Sequence, residues 1–83
     1  MTRVEAERIR KGLSLTDVSV LSGLDRTTVH RIEHLVVRPR RSTIVKLARG
    51  LNISSRRLWD LAQADWADRL LSEHDRSAKE PVA

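Results

Sequence analysis

The sequence predicts an all-α fold of five helices with a C-terminal helical extension. Apolar residues recur at helical spacing, and no stretch shows sustained strand-like alternation between Gly or Pro breaks. Helix-start signals also repeat: a capping residue with an apolar residue just before it and another four positions after it. The length of 83 residues fits one domain. A chain of this size buries only about 60% of its unfolded surface, which argues against a two-domain enzyme built around a deep cleft.

The elements follow in order. Thr2 with Glu5 three residues on reads as a capping box for a first helix that runs to Gly12. Ser14 with Asp17 has the same spacing, and Leu13 and Val18 staple the start of the second helix. Gly23 ends that helix, where a left-handed residue costs Gly little. Asp25, between Leu24 and Val29, caps a third helix from Arg26 to about Leu35, with Val29, Ile32 and Val36 on one face. Pro39 lies in an Arg-rich loop. Ile44, Leu47, Ala48 and Leu51 mark an amphipathic fourth helix that Asn52 ends. Ser54, between Ile53 and Leu58, caps a fifth helix reaching about His74, with a break expected near residues 63–65. Residues 77–83 carry no apolar period and read as a flexible tail.

Composition narrows the function. The chain has no Cys, which excludes disulfides, thiolate metal sites and a Cys nucleophile. No apolar run approaches the roughly 20 residues of a membrane span, so no membrane contact and a cytoplasmic location are expected. Residues 1–57 hold 13 Lys and Arg against 5 Asp and Glu, whereas residues 58–83 hold 3 against 6. A basic body favours a polyanionic partner. Arg outnumbers Lys 13 to 3, and its planar fork suits phosphates and guanine edges.

The second and third helices, joined through Ser22, Gly23, Leu24 and Asp25, have the short Gly-containing connection of a helix–turn–helix. Residues 8–14 (Arg-Ile-Arg-Lys-Gly-Leu-Ser), residues 23–29 (Gly-Leu-Asp-Arg-Thr-Thr-Val), Arg31-Ile32-Glu33 and Pro39 form an ordered set. Over roughly residues 3–61 the chain resembles the Cro/C1-type (lambdoid repressor-like) helix–turn–helix domain. Three departures stand out. Leu15 occupies a position where many members carry a DNA-anchoring Gln, Ser19 replaces a common small Ala, and Leu35 replaces a frequent Gly. Packing tolerates Ser19 if its hydroxyl bonds the preceding turn. Leu35 implies that the third helix ends differently or continues into Val36 and Val37.

The resemblance implies a third helix in the major groove of duplex DNA, with Arg26, Thr27 and Arg31 facing bases. Their chemistry agrees: Arg bonds guanine O6 and N7 together, and a Thr methyl meets the thymine methyl. Thr28, His30 and His34 flank that arc as candidate backbone contacts. His30 and His34 have metal-like i, i+4 spacing but no evident third ligand, so no metal and no cofactor are expected. In the resembled family the Arg38–Arg40–Arg41 loop follows the sugar–phosphate backbone, and an Arg beside Pro39 can enter a narrow minor groove. Thr16, near the start of the second helix, is a further candidate phosphate contact. Glu33 would repel DNA if it faced outward; the family pattern pairs it with Arg8 as a structural ion pair.

Trp59, Ala62, Trp66 and Leu70 form a helical stripe. It reads either as intrachain packing or as a homodimer interface set among Asp60, Asp65, Asp68 and Glu73. The expected division is a helix–turn–helix domain over residues 1–62, a helical extension with a candidate dimerisation role over 63–76, and the tail over 77–83. Together these features predict a sequence-specific, homodimeric, double-stranded DNA-binding regulator, most simply a repressor, with no enzymatic activity. The alternative is an antitoxin or protein-binding adaptor that uses the tryptophan surface to hold a protein partner.

Overall fold

A computed structural model describes the chain through Lys79. Its helices are α1 (Arg3–Arg10), α2 (Leu15–Ser22), α3 (Arg26–Glu33), α4 (Arg41–Leu51) and α5 (Ser55–Lys79), with no strand among the described residues. The helix starts follow the capping signals. Ser14 and Asp17 form a reciprocal capping box at α2, with bonds of 3.0 and 2.9 Å, which holds the Asp17 carboxyl below its usual range. Ser54 Oγ accepts from Arg57 N at 3.0 Å to start α5. Each staple has a fully buried member four residues past its cap: Val18, Val29 and Leu58 are all 0% exposed. Leu13, Leu24 and Ile53 pack against the core from the other side.

Two expected caps differ. At α1, Thr2 Oγ1 accepts from Glu5 N, but the return half of a capping box is missing. Asp25 stands at the cap position of α3 without a side-chain cap bond.

The fifth helix has no break near residues 63–65; it continues unbroken to Lys79. Asp65, which looked like an interruption, is buried, and its carboxylate accepts from Arg3 N (2.8 Å) and Val4 N (3.2 Å). Together with Thr2, it pairs the first three backbone amides of α1, groups that a helix cannot satisfy internally. A polar residue inside an apolar pattern therefore serves another helix's terminus, 62 residues away. The boundary expected at residue 62 falls inside this helix. Residues 77–79, expected in the flexible tail, are helical; residues 80–83 lie outside the described residues.

The end of α3 also differs. The helix stops at Glu33, and Leu35 takes a left-handed backbone (φ 59°). Leu35 N donates to Ile32 O and Val36 N donates to Arg31 O, the paired bonds of a left-handed helix stop. Leu35 thus keeps the conformation a Gly would favour, at a cost of about 1–2 kcal/mol. Val36 is consequently 63% exposed and not on the core face of α3. Ser19 Oγ donates to Leu24 O at 2.6 Å, bracing the turn that follows it instead of the one before.

The core is made of Val4, Val18, Val29, Ile32, Ile44, Leu47, Ala48, Leu51, Leu58 and Ala62. In it α2 packs on α3 and α4, and α5 packs on α1 and α4. The α2–α4 crossing is closest at Gly50, where a Cβ would lie 2.8 Å from Ser22 Cβ and 3.2 Å from Val18 O. Beside the core, buried Glu7 accepts from Arg10 and more distantly from Arg57, and its carboxyl is held below the usual value chiefly by the Arg10 bond.

Glu33 is 1% exposed. Arg8 Nε donates to its Oε1, and Arg8 Nη1 donates to Leu13 O at 2.9 Å, so one guanidinium joins α1, the following turn and α3. Glu33 Oε2 has no hydrogen-bond partner.

Two stability predictions follow from this packing. In an isolated helix Gly50→Ala would gain about 1 kcal/mol; here it should lower stability by about 1–3 kcal/mol, because Ser22 and its backbone cannot yield cheaply. A rise in unfolding midpoint would show that the crossing is looser than described. Arg8→Ala should cost up to about 3–5 kcal/mol by stranding a buried carboxylate. In a double-mutant cycle with Glu33→Gln the losses should be non-additive; additive losses would remove the clamp.

Candidate nucleic-acid interface

With Val29, Ile32 and Glu33 of α3 buried, the remaining positions face outward in a fixed way. Arg26, Thr27, His30 and Arg31 are exposed on one arc, and Thr28 is half-buried at its edge. Leu15, Arg26, Thr27 and His30 line a shallow cleft of about 210 Å³ between the starts of α2 and α3. Thr16 is exposed on the first turn of α2. Leu15 contributes an apolar wall there, packed partly against the core.

His34 departs from the arc. Its ring lies 4.2 Å from that of His30 (centroid to centroid), and its Nε2 is 4.0 Å from a Glu5 carboxylate oxygen, on the side of α1. Among the described residues no group of three His, Asp or Glu side chains could hold a metal ion.

Arg38, Arg40 and Arg41 are exposed along the α3–α4 connection. The start of α4 has neither a side-chain cap nor an acidic residue in its first turn. It therefore keeps its positive end uncompensated beside Arg40 and Arg41, an arrangement that favours anions.

The ion pairs sort the arginines into two sets. Arg3, Arg8, Arg10, Arg56, Arg57 and Arg69 each lie within 4.0 Å of a carboxylate. Among the described residues, Arg26, Arg31, Arg38, Arg40, Arg41 and Arg49 have no such partner. Arg49 lies well along α4; the other five face outward from α3, the loop after it and the start of α4.

The tryptophan stripe splits. Ala62 is 6% exposed and belongs to the core, so it is not an interface residue. Trp66 is half-buried with the Arg38 guanidinium 4.6 Å over its ring. Trp59 (43% exposed) and Leu70 (53%) remain accessible. Trp59 lines a groove of about 500 Å³ with Pro39, Ile44 and Val45, rimmed by Arg41 and Arg56. The acidic setting expected around the stripe is largely neutralised. Asp65 serves α1, Asp68 pairs with Arg3, Asp60 with Arg56 and Glu73 with Arg69.

Sequence reasoning missed Arg69. Its Nη1 donates to Leu35 O at 2.9 Å. Its spacing of three from Trp66 places both on one helix face, but nothing local signals a partner 34 residues earlier.

No helix among the described residues is long and apolar enough to cross a membrane. No curated protein and no solved structure matches the chain. A helix-turn-helix family model matches residues 4–58, spanning α1 to the first turn of α5, including the turn between α2 and α3 and the arginine loop. The chain belongs to the Cro/C1-type helix-turn-helix family, whose domain is a DNA-binding regulatory unit on a lambda-repressor-like all-α fold.

Proposed function

We propose that the protein is a cytoplasmic transcriptional repressor that binds duplex DNA sequence-specifically as a two-fold dimer and has no enzymatic activity. The observation that carries this reading is the set of outward arginines without carboxylate partners on α3 and the loop after it. Arg26, Thr27 and Arg31 read bases in the major groove, where Arg forks match guanine and the Thr methyl matches thymine. Thr16, Thr28, His30, Arg38, Arg40 and Arg41 contact the backbone or the minor groove, and His34 does so at the edge of the surface. Repression follows most simply from occupying a promoter.

Selection of bound sequences from a random duplex pool at two salt concentrations tests the reading. Enrichment of a defined motif supports it; weak, motif-free binding favours a protein-binding adaptor. On the selected site, Arg26→Ala or Arg31→Ala should cost about 1–3 kcal/mol and relax discrimination at particular base pairs. Arg40→Ala or Arg41→Ala should weaken all sequences alike and reduce the salt slope by about 1 per lost phosphate contact. Identical behaviour of all four variants would abolish the division into readers and anchors.

Dimerisation is argued from reach. One eight-residue recognition helix covers too few base pairs to select a genomic site, and two-fold proteins of this kind place half-sites about 34–36 Å apart. Trp59 and Leu70 supply exposed apolar surface for the pairing. Sedimentation with a palindromic duplex should give two chains per site, with Trp59→Ala weakening the second. A monomer that binds one half-site as tightly as the palindrome would refute the dimer.

A further inference from the structure

We propose that Trp66 and Arg69 of α5 are positioning residues for DNA contact, holding the α3–α4 loop so that Arg38 is presented to a phosphate with its hydrogen-bonding edge free. The proposal rests on the DNA-binding reading above.

The loop over residues 34–40 has no regular structure. Its own apolar residues do little to fix it, since Val36 is 63% and Val37 40% exposed. Two contacts from α5 hold it instead. Arg69 Nη1 donates to the Leu35 carbonyl, at the residue whose left-handed backbone ends the recognition helix. Three residues further, the Arg38 guanidinium lies over the Trp66 ring at 4.6 Å. Arg38, Pro39, Ala62, Gln63 and Trp66 share the walls of one small cleft, so loop and helix meet directly. Arg69 itself lies 5.8 Å from the same ring, and its Nε is 3.3 Å from the Glu73 carboxylate, which offsets the second positive charge beside the indole.

The stacking geometry decides what Arg38 can still do. A guanidinium attracted to an indole uses its flat face, while its N–H donors point outward in the plane. Arg38 makes no hydrogen bond or ion pair to any described residue, so those donors are uncommitted. An unrestrained Arg would lose rotamer freedom on binding a phosphate; a stacked one has already lost much of it. Trp66 therefore raises affinity without touching DNA.

The test uses the full chain and a site selected from random duplexes, with affinity and salt slope measured for each variant. Arg38→Ala should weaken binding and lower the salt slope by about 1. Trp66→Leu, which keeps apolar bulk but removes the aromatic face, should weaken binding roughly 2- to 30-fold while keeping the slope, because Arg38 still reaches its phosphate. Trp66→Tyr should recover most of the affinity. Adding Trp66→Leu to Arg38→Ala should cause no further loss. Arg69→Met, at a more exposed position, gives an independent arm if Trp66→Leu fails to fold, and should also weaken binding with the unfolding midpoint near wild type. Additive losses, or wild-type binding by both Trp66→Leu and Arg69→Met, would overturn the positioning role while leaving the DNA-binding reading intact. A wild type that binds no duplex would overturn both.

Discussion

The carboxylate of Glu33 is taken almost wholly out of water in a domain whose buried apolar core numbers ten residues. It is tolerable there because Arg8 donates to it, and the same guanidinium holds Leu13 O. Replacing such a pair with apolar residues is often neutral or stabilising, and the partnerless Oε2 makes this pair still less efficient as a source of stability. Its effect is on orientation. With Glu33 and Ile32 fixed inward, the 3.6-residue period leaves Arg26, Thr27, His30 and Arg31 no position but outward. The outward face of α3 is the other side of a buried polar contact.

Two further polar side chains extend this logic along α5. Asp65 completes the start of α1, and Arg69 holds the carbonyl of the left-handed Leu just past the end of α3. Helix termini are where a small domain has most unsatisfied backbone groups and least apolar surface to bury. One long helix reaching two remote termini provides partners for both. The aliphatic face of α5, through Leu58 and Ala62, binds it to the core, and its polar residues then set the geometry of what lies around it.

The staples, the reciprocal cap at Ser14 and the left-handed Asn52 were legible because each is a pattern within five or six residues, with a local physical cause. The outward face of α3 was equally legible from periodicity. What stayed hidden was contact across long sequence separation. Asp65 looked like an interruption because its partner is at the other end of the chain. Trp66 left intrachain packing and an interface both open, because the Arg that covers it sits in an irregular loop. Gly50 offered no signal, since a helical Gly shows its purpose only when α2 is laid against it. Leu35 gave the opposite problem. Its identity argued against a left-handed residue, yet the helix stop required one, and a side chain 34 positions away sustains it.

Charge distribution joins these threads. The contrast between a basic body and an acidic end is real in the sequence but does not survive as two surfaces. Four acids of α5, those among the described side chains, are turned onto arginines: Asp65 and Asp68 onto Arg3, Asp60 onto Arg56, Glu73 onto Arg69. Glu7 does the same with Arg10 and Arg57. The exposed pairs among them, Asp68–Arg3, Asp60–Arg56 and Glu73–Arg69, add little stability, typically under about 1 kcal/mol each. Their larger consequence is electrostatic. Among the described residues they cancel positive charge on α1 and α5 and leave it uncancelled on α3, on the loop after it and on α4, where Lys46 and Arg49 also lack a carboxylate partner. A formal net charge of +5 spread evenly over so small a surface would attract any polyanion in any orientation. On the function proposed above, the unpaired arginines of α3 and the loop after it, beside the uncapped start of α4, also orient the approach, so that α3 faces the phosphate backbone at first contact.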